Sequence, residues 1–177
     1  MINKTILTLS LLCAIAYSQG ERGYIVEVNQ KAPSFTVSKD NEIFDLQKHQ
    51  GKVIMLQFTA SWCGVCIKEM PFIEKEIWQK HKDNENFILL GLAKDTKQRR
   101  QGVTEIQIMI DKTGVTYPII TDYDSKIFHL FAEKKAGVTR NIIIDQNGDI
   151  KFLTRLFEKD EFNEMKTIID ELLKKKH

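Results

Sequence analysis

Val53-Ile54-Met55-Leu56-Gln57-Phe58-Thr59, then Ala60-Ser61-Trp62, then Cys63-Gly64-Val65-Cys66, then Ile67-Lys68-Glu69-Met70-Pro71: this stretch decides how the chain is read. Its first seven residues are apolar at both odd and even positions, which suits a central strand covered on both faces. After Cys63 the period changes. Cys66, Ile67, Met70, Ile73 and Ile77 recur at three- and four-residue spacings and predict a helix from Cys63 to about Lys80 with one buried stripe. Pro71 lies inside it, has no N–H for the Ile67 carbonyl, and predicts a kink. Two thiols two residues apart, at the first turn of a helix that follows a buried strand, can exchange two hydrogens for a disulfide. The positive end of the helix dipole favours a thiolate at the first of them, Cys63.

The rest of the chain frames that stretch. Its 177 residues, 42% hydrophobic and 28% charged, imply one domain plus a short extra segment, with enough apolar residues for a core. A net charge of +2 gives no ground for nucleic-acid binding or attachment to an acidic surface. Lys4 is the only charge before Glu21, and Ile6 to Ala16 is apolar but short for a bilayer span. With small residues at Ala16 and Ser18, residues 1–18 read as a secretory signal, 19–30 as a leader and 31–177 as the domain. The expected location is therefore exported and periplasmic, with an uncleaved membrane anchor as the alternative. Lipid attachment at Cys13 is disfavoured by the bulky Leu12 before it.

Cysteine counting sharpens this. Of 3 cysteines, removal of the signal leaves Cys63 and Cys66 alone. A disulfide-stapled small domain needs more cysteines, and a structural zinc site needs about four ligands. His49, His81, His129 and His177 are scattered without ligand spacing, so no metal and no cofactor is expected. An exported chain with a single Cys-x-x-Cys pair reads as redox-active.

Further elements follow from the same patterns. Tyr24–Val28 reads as an edge strand, Lys31–Val37 as an extended opening strand, and Ile43–Leu46 as the strand after a polar turn. Phe87–Ala93 is a second buried strand, Val103–Asp111 a helix, and Thr116–Ile120, with Pro118, a short edge strand or connection. Ser125–Ala132 reads as a short helix capped by Asp124 or Asp122. Asn141–Ile144 and Asp149–Thr154 flank the turn Asp145-Gln146-Asn147-Gly148 as a hairpin, and Glu158–Lys174 closes the chain as an amphipathic helix. The order predicts an α/β fold, a mixed central sheet with helices on both faces and an N-terminal strand extension.

Gly51-Lys52-Val53 through Trp62-Cys63-Gly64-Val65-Cys66 and on to Glu69-Met70-Pro71 closely resembles the exported thioredoxin-like proteins of the TlpA/ResA type. Ala32-Pro33-Ser34-Phe35, Tyr117-Pro118 with Asp122, and Ile144-Asp145 with Gly148-Asp149-Ile150 resemble other segments of that family, so the likeness spans about 31 to 175. It implies a thioredoxin fold and reversible dithiol–disulfide exchange with protein substrates. It also implies a reductant role outside the cytoplasm, including toward apocytochromes during haem attachment, with a membrane electron carrier as the source of electrons. A monomer is expected.

Roles follow residue by residue. Cys63 is expected to be the nucleophile and Cys66, one turn further in on the buried stripe, to resolve the mixed disulfide. Glu69 matches the family's active-site glutamate and is expected to raise the thiol pKa values or relay a proton to Cys66. Gln57 stands where thioredoxin carries a buried acid, which leaves such work to Glu69. Trp62, Gly64, Val65, Val138 and Thr139 are expected to dock substrate. Trp62 covers the pair or packs in the core, Gly64 admits a partner backbone, and Val65 stands where many relatives have proline. Thr139 departs most: relatives carry a cis-proline there, so Val138–Thr139 is either cis or a trans bond in an altered loop, with substrate release or specificity changed. Two other readings compete. A thiol peroxidase places its threonine three residues before the reactive cysteine, whereas Thr59 is four before Cys63. A metallochaperone would use the two thiolates to hold Cu(I) or Zn(II).

Overall fold

A computed structural model of the chain describes residues 22–39 and 42–175. The expected signal peptide, Cys13 and the first residues of the leader lie outside the described residues. So does the turn at 40–41. Strands β1 (Thr36–Lys39) and β2 (Glu42–Asp45) form a separate antiparallel hairpin. The main sheet contains β3 (Val53–Thr59), β4 (Phe87–Lys94), β5 (Ile119–Asp122), β6 (Arg140–Ile144) and β7 (Ile150–Leu153) in the order β5-β4-β3-β6-β7. β3 runs parallel to β4 and antiparallel to β6, so the sheet is mixed as expected.

The parallel β3–β4 pair requires a crossover, which the helical stretch after Cys63 supplies. That stretch divides into α1 (Gly64–Ile73), a π-helical turn (Glu74–Trp78) and α2 (Gln79–His81) rather than one bent α-helix. The irregularity therefore sits just beyond Pro71. The Gln79 N–H reaches back five residues to the Glu74 carbonyl. The wider turn aligns Glu74 with Thr116, whose N–H and hydroxyl both donate to the Glu74 carboxylate at 2.8 Å.

β3 is buried at every position because its two faces belong to two cores. Val53 and Met55 pack with Met70 and Ile73 of α1, Met109 of α3 (Val103–Thr113) and Met165 and Ile169 of α5 (Lys159–Lys174). Ile54, Leu56 and Phe58 point the other way, onto Phe128 and Phe131 of the one-turn helix α4 (Phe128–Phe131), Tyr24, Val26 and Phe35. Both faces thus carry helix, but unequally. Each such fully buried aliphatic or aromatic side chain contributes about 1.5–3 kcal/mol.

Two expectations change here. Tyr24–Val28 is no strand: Tyr24 makes a single bridge to Ala132, and the segment is held by side-chain burial, with Tyr24 and Val26 in the core. Part of the expected leader therefore belongs to the folded body. The expected helix Ser125–Ala132 shortens to α4 because Ser125 has positive φ. Its cap is Asp122, whose two carboxylate oxygens accept from the Ile127 and Phe128 N–H groups at 2.8 Å.

Candidate active site

β3 ends at Thr59, and a four-residue loop delivers Cys63 to the N-terminus of α1. Cys63 is the N-cap: its backbone is extended, its carbonyl accepts from Ile67 N–H at 3.0 Å, and its Sγ accepts from Cys66 N–H at 3.2 Å. A sulfur therefore occupies the place where a serine or aspartate oxygen commonly caps. The first turn of α1 has no acidic residue to compete for its unpaired amides. Cys63 and Cys66 form a disulfide with Cα atoms 5.3 Å apart. Cys63 keeps 8% exposure and Cys66 none. The outer sulfur is the reachable one and the inner one is sealed.

The antiparallel register brings in a residue from far along the chain. Phe58 pairs with Arg140, so Thr139 falls beside the loop that carries the cysteines. Its hydroxyl lies 3.2 Å from both Cys63 Sγ and Cys66 Sγ. Among the described residues no peptide bond is cis, so Val138–Thr139 is trans and the second of the two sequence alternatives holds. Thr139 is pinned from its own loop: its carbonyl accepts from Leu156 N–H, and Arg140 Nε donates to the Gly137 carbonyl at 3.0 Å.

Glu69 follows Cys66 by one helical turn and shares its buried stripe, at 1% exposure. Asn141 Nδ2 donates to its Oε1 at 2.7 Å, whereas Oε2 has no protein partner. Burial raises the Glu69 pKa to about 8, and the hydrogen bond from Asn141 offsets this only in part. Asn141 stands directly opposite Gln57 in the β3–β6 register. Gln57 Oε1 accepts from the Tyr117 hydroxyl at 2.7 Å, and Thr154 Oγ1 accepts from Asn141 Nδ2 at 3.0 Å. Gln57 Nε2 and Asn141 Oδ1 are also buried without partners. Burial pushes the Tyr117 hydroxyl pKa well above its ordinary value. This is a sealed polar cluster under the cysteines, centred on a carboxyl whose pKa burial raises toward neutrality.

Around Cys63 the surface is apolar and open. Trp62 is 41% exposed, so it is not a core residue, and the Arg99 guanidinium stacks over its ring at 4.4 Å. Val65, Phe72 and Leu156 are also exposed. Gly64 is exposed, and nothing lies within 4 Å of where a Cβ would project. Val138, by contrast, is buried and can meet a partner only through its backbone. Arg100 is paired to the buried Asp95 at 2.7 Å. Asn141, Tyr117 and Thr154 were missed in the sequence, since nothing local marks them. Glu69 carried a signal, its match to the family glutamate.

Thr59 does not face the reactive sulfur as a peroxidase threonine would. Its hydroxyl lies 3.5 Å from Met70 Sδ and 3.6 Å from Met109 Sδ, on the opposite side of the sheet from the Phe58 core. Among the described residues no group of three or more His, Cys, Asp or Glu side chains is placed to hold a metal ion.

Residues 27–169 match the Redoxin family. The chain belongs to that family. This Redoxin-family chain is 24% identical over 172 residues to the thiol-disulfide oxidoreductase ResA of Geobacillus thermodenitrificans, covering 93% of this chain and 92% of the relative. The solution structure of a candidate protein disulfide isomerase from Bacteroides thetaiotaomicron is 47% identical and superposes with a TM-score of 0.80, covering 86% of this chain and 94% of that one. A candidate thiol:disulfide interchange protein of the DsbE type from Chlorobium tepidum, 21% identical with a TM-score of 0.69, covers 84% of this chain and 99% of its own, and shares the fold. The Redoxin-family chain is a thioredoxin-like thiol–disulfide oxidoreductase of the ResA type, with Cys63–Cys66 as its redox pair.

Proposed function

We propose that the chain acts outside the cytoplasm as a monomeric reductase of protein disulfides, with Cys63 as nucleophile and Cys66 as resolving thiol. The observation that carries this reading is the asymmetry of the pair: Cys63 is reachable and caps a helix with its sulfur, and Cys66 is sealed. In the first step the Cys63 thiolate attacks one sulfur of the substrate disulfide. A Cys63–substrate disulfide forms, and the other substrate sulfur leaves as a thiolate and takes up a proton. In the second step Cys66 gives up its proton and attacks Cys63 Sγ. The Cys63–Cys66 bond forms, and the remaining substrate sulfur departs as a thiol. Two electrons have passed from the pair to the substrate, and a membrane-supplied dithiol restores them.

Glu69, with its pKa raised to about 8 by burial, is the group suited to take the Cys66 proton near neutrality. Trp62, Gly64, Val65 and the Val138–Thr139 backbone form the docking rim for the substrate segment. Export is supported by the apolar run Ile6–Ala16, and the reductive direction by the ResA-type resemblance. The test is insulin reduction by the protein with dithiothreitol as donor, together with its reduction potential. Activity with a potential near roughly −270 mV supports the proposal, and a potential near roughly −120 mV would make the protein an oxidant instead.

A further inference from the structure

Thr139 occupies a place that a proline would leave without a donor, and its hydroxyl lies 3.2 Å from each sulfur. Its side chain is buried, so no solvent competes for the hydroxyl. Among the described residues, the hydrogen-bond partners of the two sulfurs are this hydroxyl and the Cys66 amide. The charged or titratable groups on the surrounding elements are Glu69 on α1, Lys94 on β4, Arg140 on β6 and Arg99 over Trp62. Glu69, Lys94, Arg140 and Arg99 each have other contacts: Asn141, the Phe128 ring, the Gly137 carbonyl and the indole. None of them makes a hydrogen bond to either sulfur.

A hydroxyl has one proton to give and two lone pairs to receive. Facing a disulfide it meets two weak acceptors. Facing the reduced pair it meets one thiolate, a far stronger acceptor, and one thiol that can donate. We propose that Thr139 is a catalytic residue of the reduced state, donating its hydroxyl proton to the Cys63 thiolate while accepting from the Cys66 S–H. This inference rests on the assignment of Cys63 as nucleophile. Breaking the Cys63–Cys66 bond with a dithiol delivers two electrons. The negative charge settles on Cys63, held by the Cys66 amide and the Thr139 hydroxyl; of the dithiol's two protons one settles on Cys66, directed at Thr139 Oγ1, and the other passes to solvent. The hydroxyl thereby fixes which sulfur is anionic. Because its bond to the thiolate is stronger than its bond to the disulfide, it favours the reduced pair and makes Cys63 a better leaving group.

The test is the Cys63 titration in the reduced protein, followed by the pH dependence of iodoacetamide labelling mapped to Cys63 in wild type, T139V and T139S. The valine variant keeps the shape and loses the hydroxyl, and the serine variant keeps the hydroxyl. T139V is expected to raise the Cys63 pKa by about one unit, a tenfold loss of thiolate at any pH below both values. Its reduction potential, measured above both pKa values, falls by about 30 mV, the same factor of ten. T139S stays near wild type in both. Should T139V fold poorly, T139A reads the same quantities. An unchanged titration in T139V or T139A, or an equal shift in T139S, overturns the inference while a wild type active on insulin leaves the parent reading standing. A wild type whose Cys63 titrates like free cysteine, near roughly 8.5, and which reduces no disulfide sinks the parent reading itself.

Discussion

Cys63 and Cys66 share a bond but belong to two different regions. Outside lies a rim of exposed groups, Trp62, Gly64, Val65 and Leu156, around a sulfur at 8% exposure. Inside lies a closed polar cluster, Gln57, Glu69, Tyr117, Asn141 and Thr154, in which three buried polar atoms have no protein partner. The rim has apolar area to offer another protein and no acid or base within hydrogen-bond reach of the outer sulfur. The cluster has a titratable group near neutrality and no way out for a large ligand. In the proposed reading, recognition and proton handling lie on opposite sides of a two-sulfur wall.

The comparison breaks most visibly at the wall itself. Cys63→Ser is expected to reduce insulin reduction to background. Cys66→Ser is expected to retain attack and accumulate a mixed disulfide, visible as a covalent adduct on a non-reducing gel. Clean turnover by the Cys66→Ser protein would remove the division of labour between the sulfurs.

Next comes the interior. Glu69→Gln keeps the shape and removes the acid. The resolving step is expected to slow about a hundredfold, and to lose its rise with pH through about 8. Stability tests the same group independently. The folded chain holds the Glu69 proton up to about 8, well above the ordinary carboxylate value, so between those values it binds more protons than the unfolded chain. Stability therefore declines as pH rises through that window, and above it Glu69 adds no further pH dependence. Urea melts of wild type should show that decline, and Glu69→Gln should flatten it.

The rim predicts a smaller and different effect. Trp62→Ala removes an exposed indole and the seat of Arg99, and is expected to raise KM for a protein disulfide about tenfold. The same change should leave reduction of a small disulfide nearly untouched. An equal loss on both substrates would move Trp62 from docking to chemistry. The smallest effect lies on the strand beside the inner cluster. Gly91→Ala would place a Cβ 2.9 Å from Ile119 Cγ1, at the strand pair opposite Gln57, and is expected to cost about 1–3 kcal/mol in thermal or urea unfolding.

Much of the outer region was legible in the sequence because it is local. The β3 run, apolar on both faces, the change of period at Cys63 and the Cys-x-x-Cys spacing are neighbours in the chain. The β6–β7 hairpin was legible for the same reason, through its Asp145-Gln146-Asn147-Gly148 turn. The inner cluster was not, because it is made by register. Gln57 meets Asn141 only once β3 and β6 pair, and Tyr117 reaches Gln57 from the approach to β5. Residues 22–30 misled for a related cause: Tyr24 and Val26 are core residues without a local period, secured by Ala132 and the α4 face rather than by strand pairing. Glu69 lies between these cases. Its match to the family glutamate was legible, whereas its burial was not, because its partner Asn141 comes from β6.

In the proposed function Cys63 is the electron-rich and reachable member of the pair. Brief iodoacetamide labelling of the fully reduced protein at pH 7, followed by peptide mapping, measures this directly. Labelling confined to Cys63, with Cys66 untouched until the chain is unfolded, is the predicted result. Equal labelling of both thiols, or labelling of Cys66 first, would contradict it.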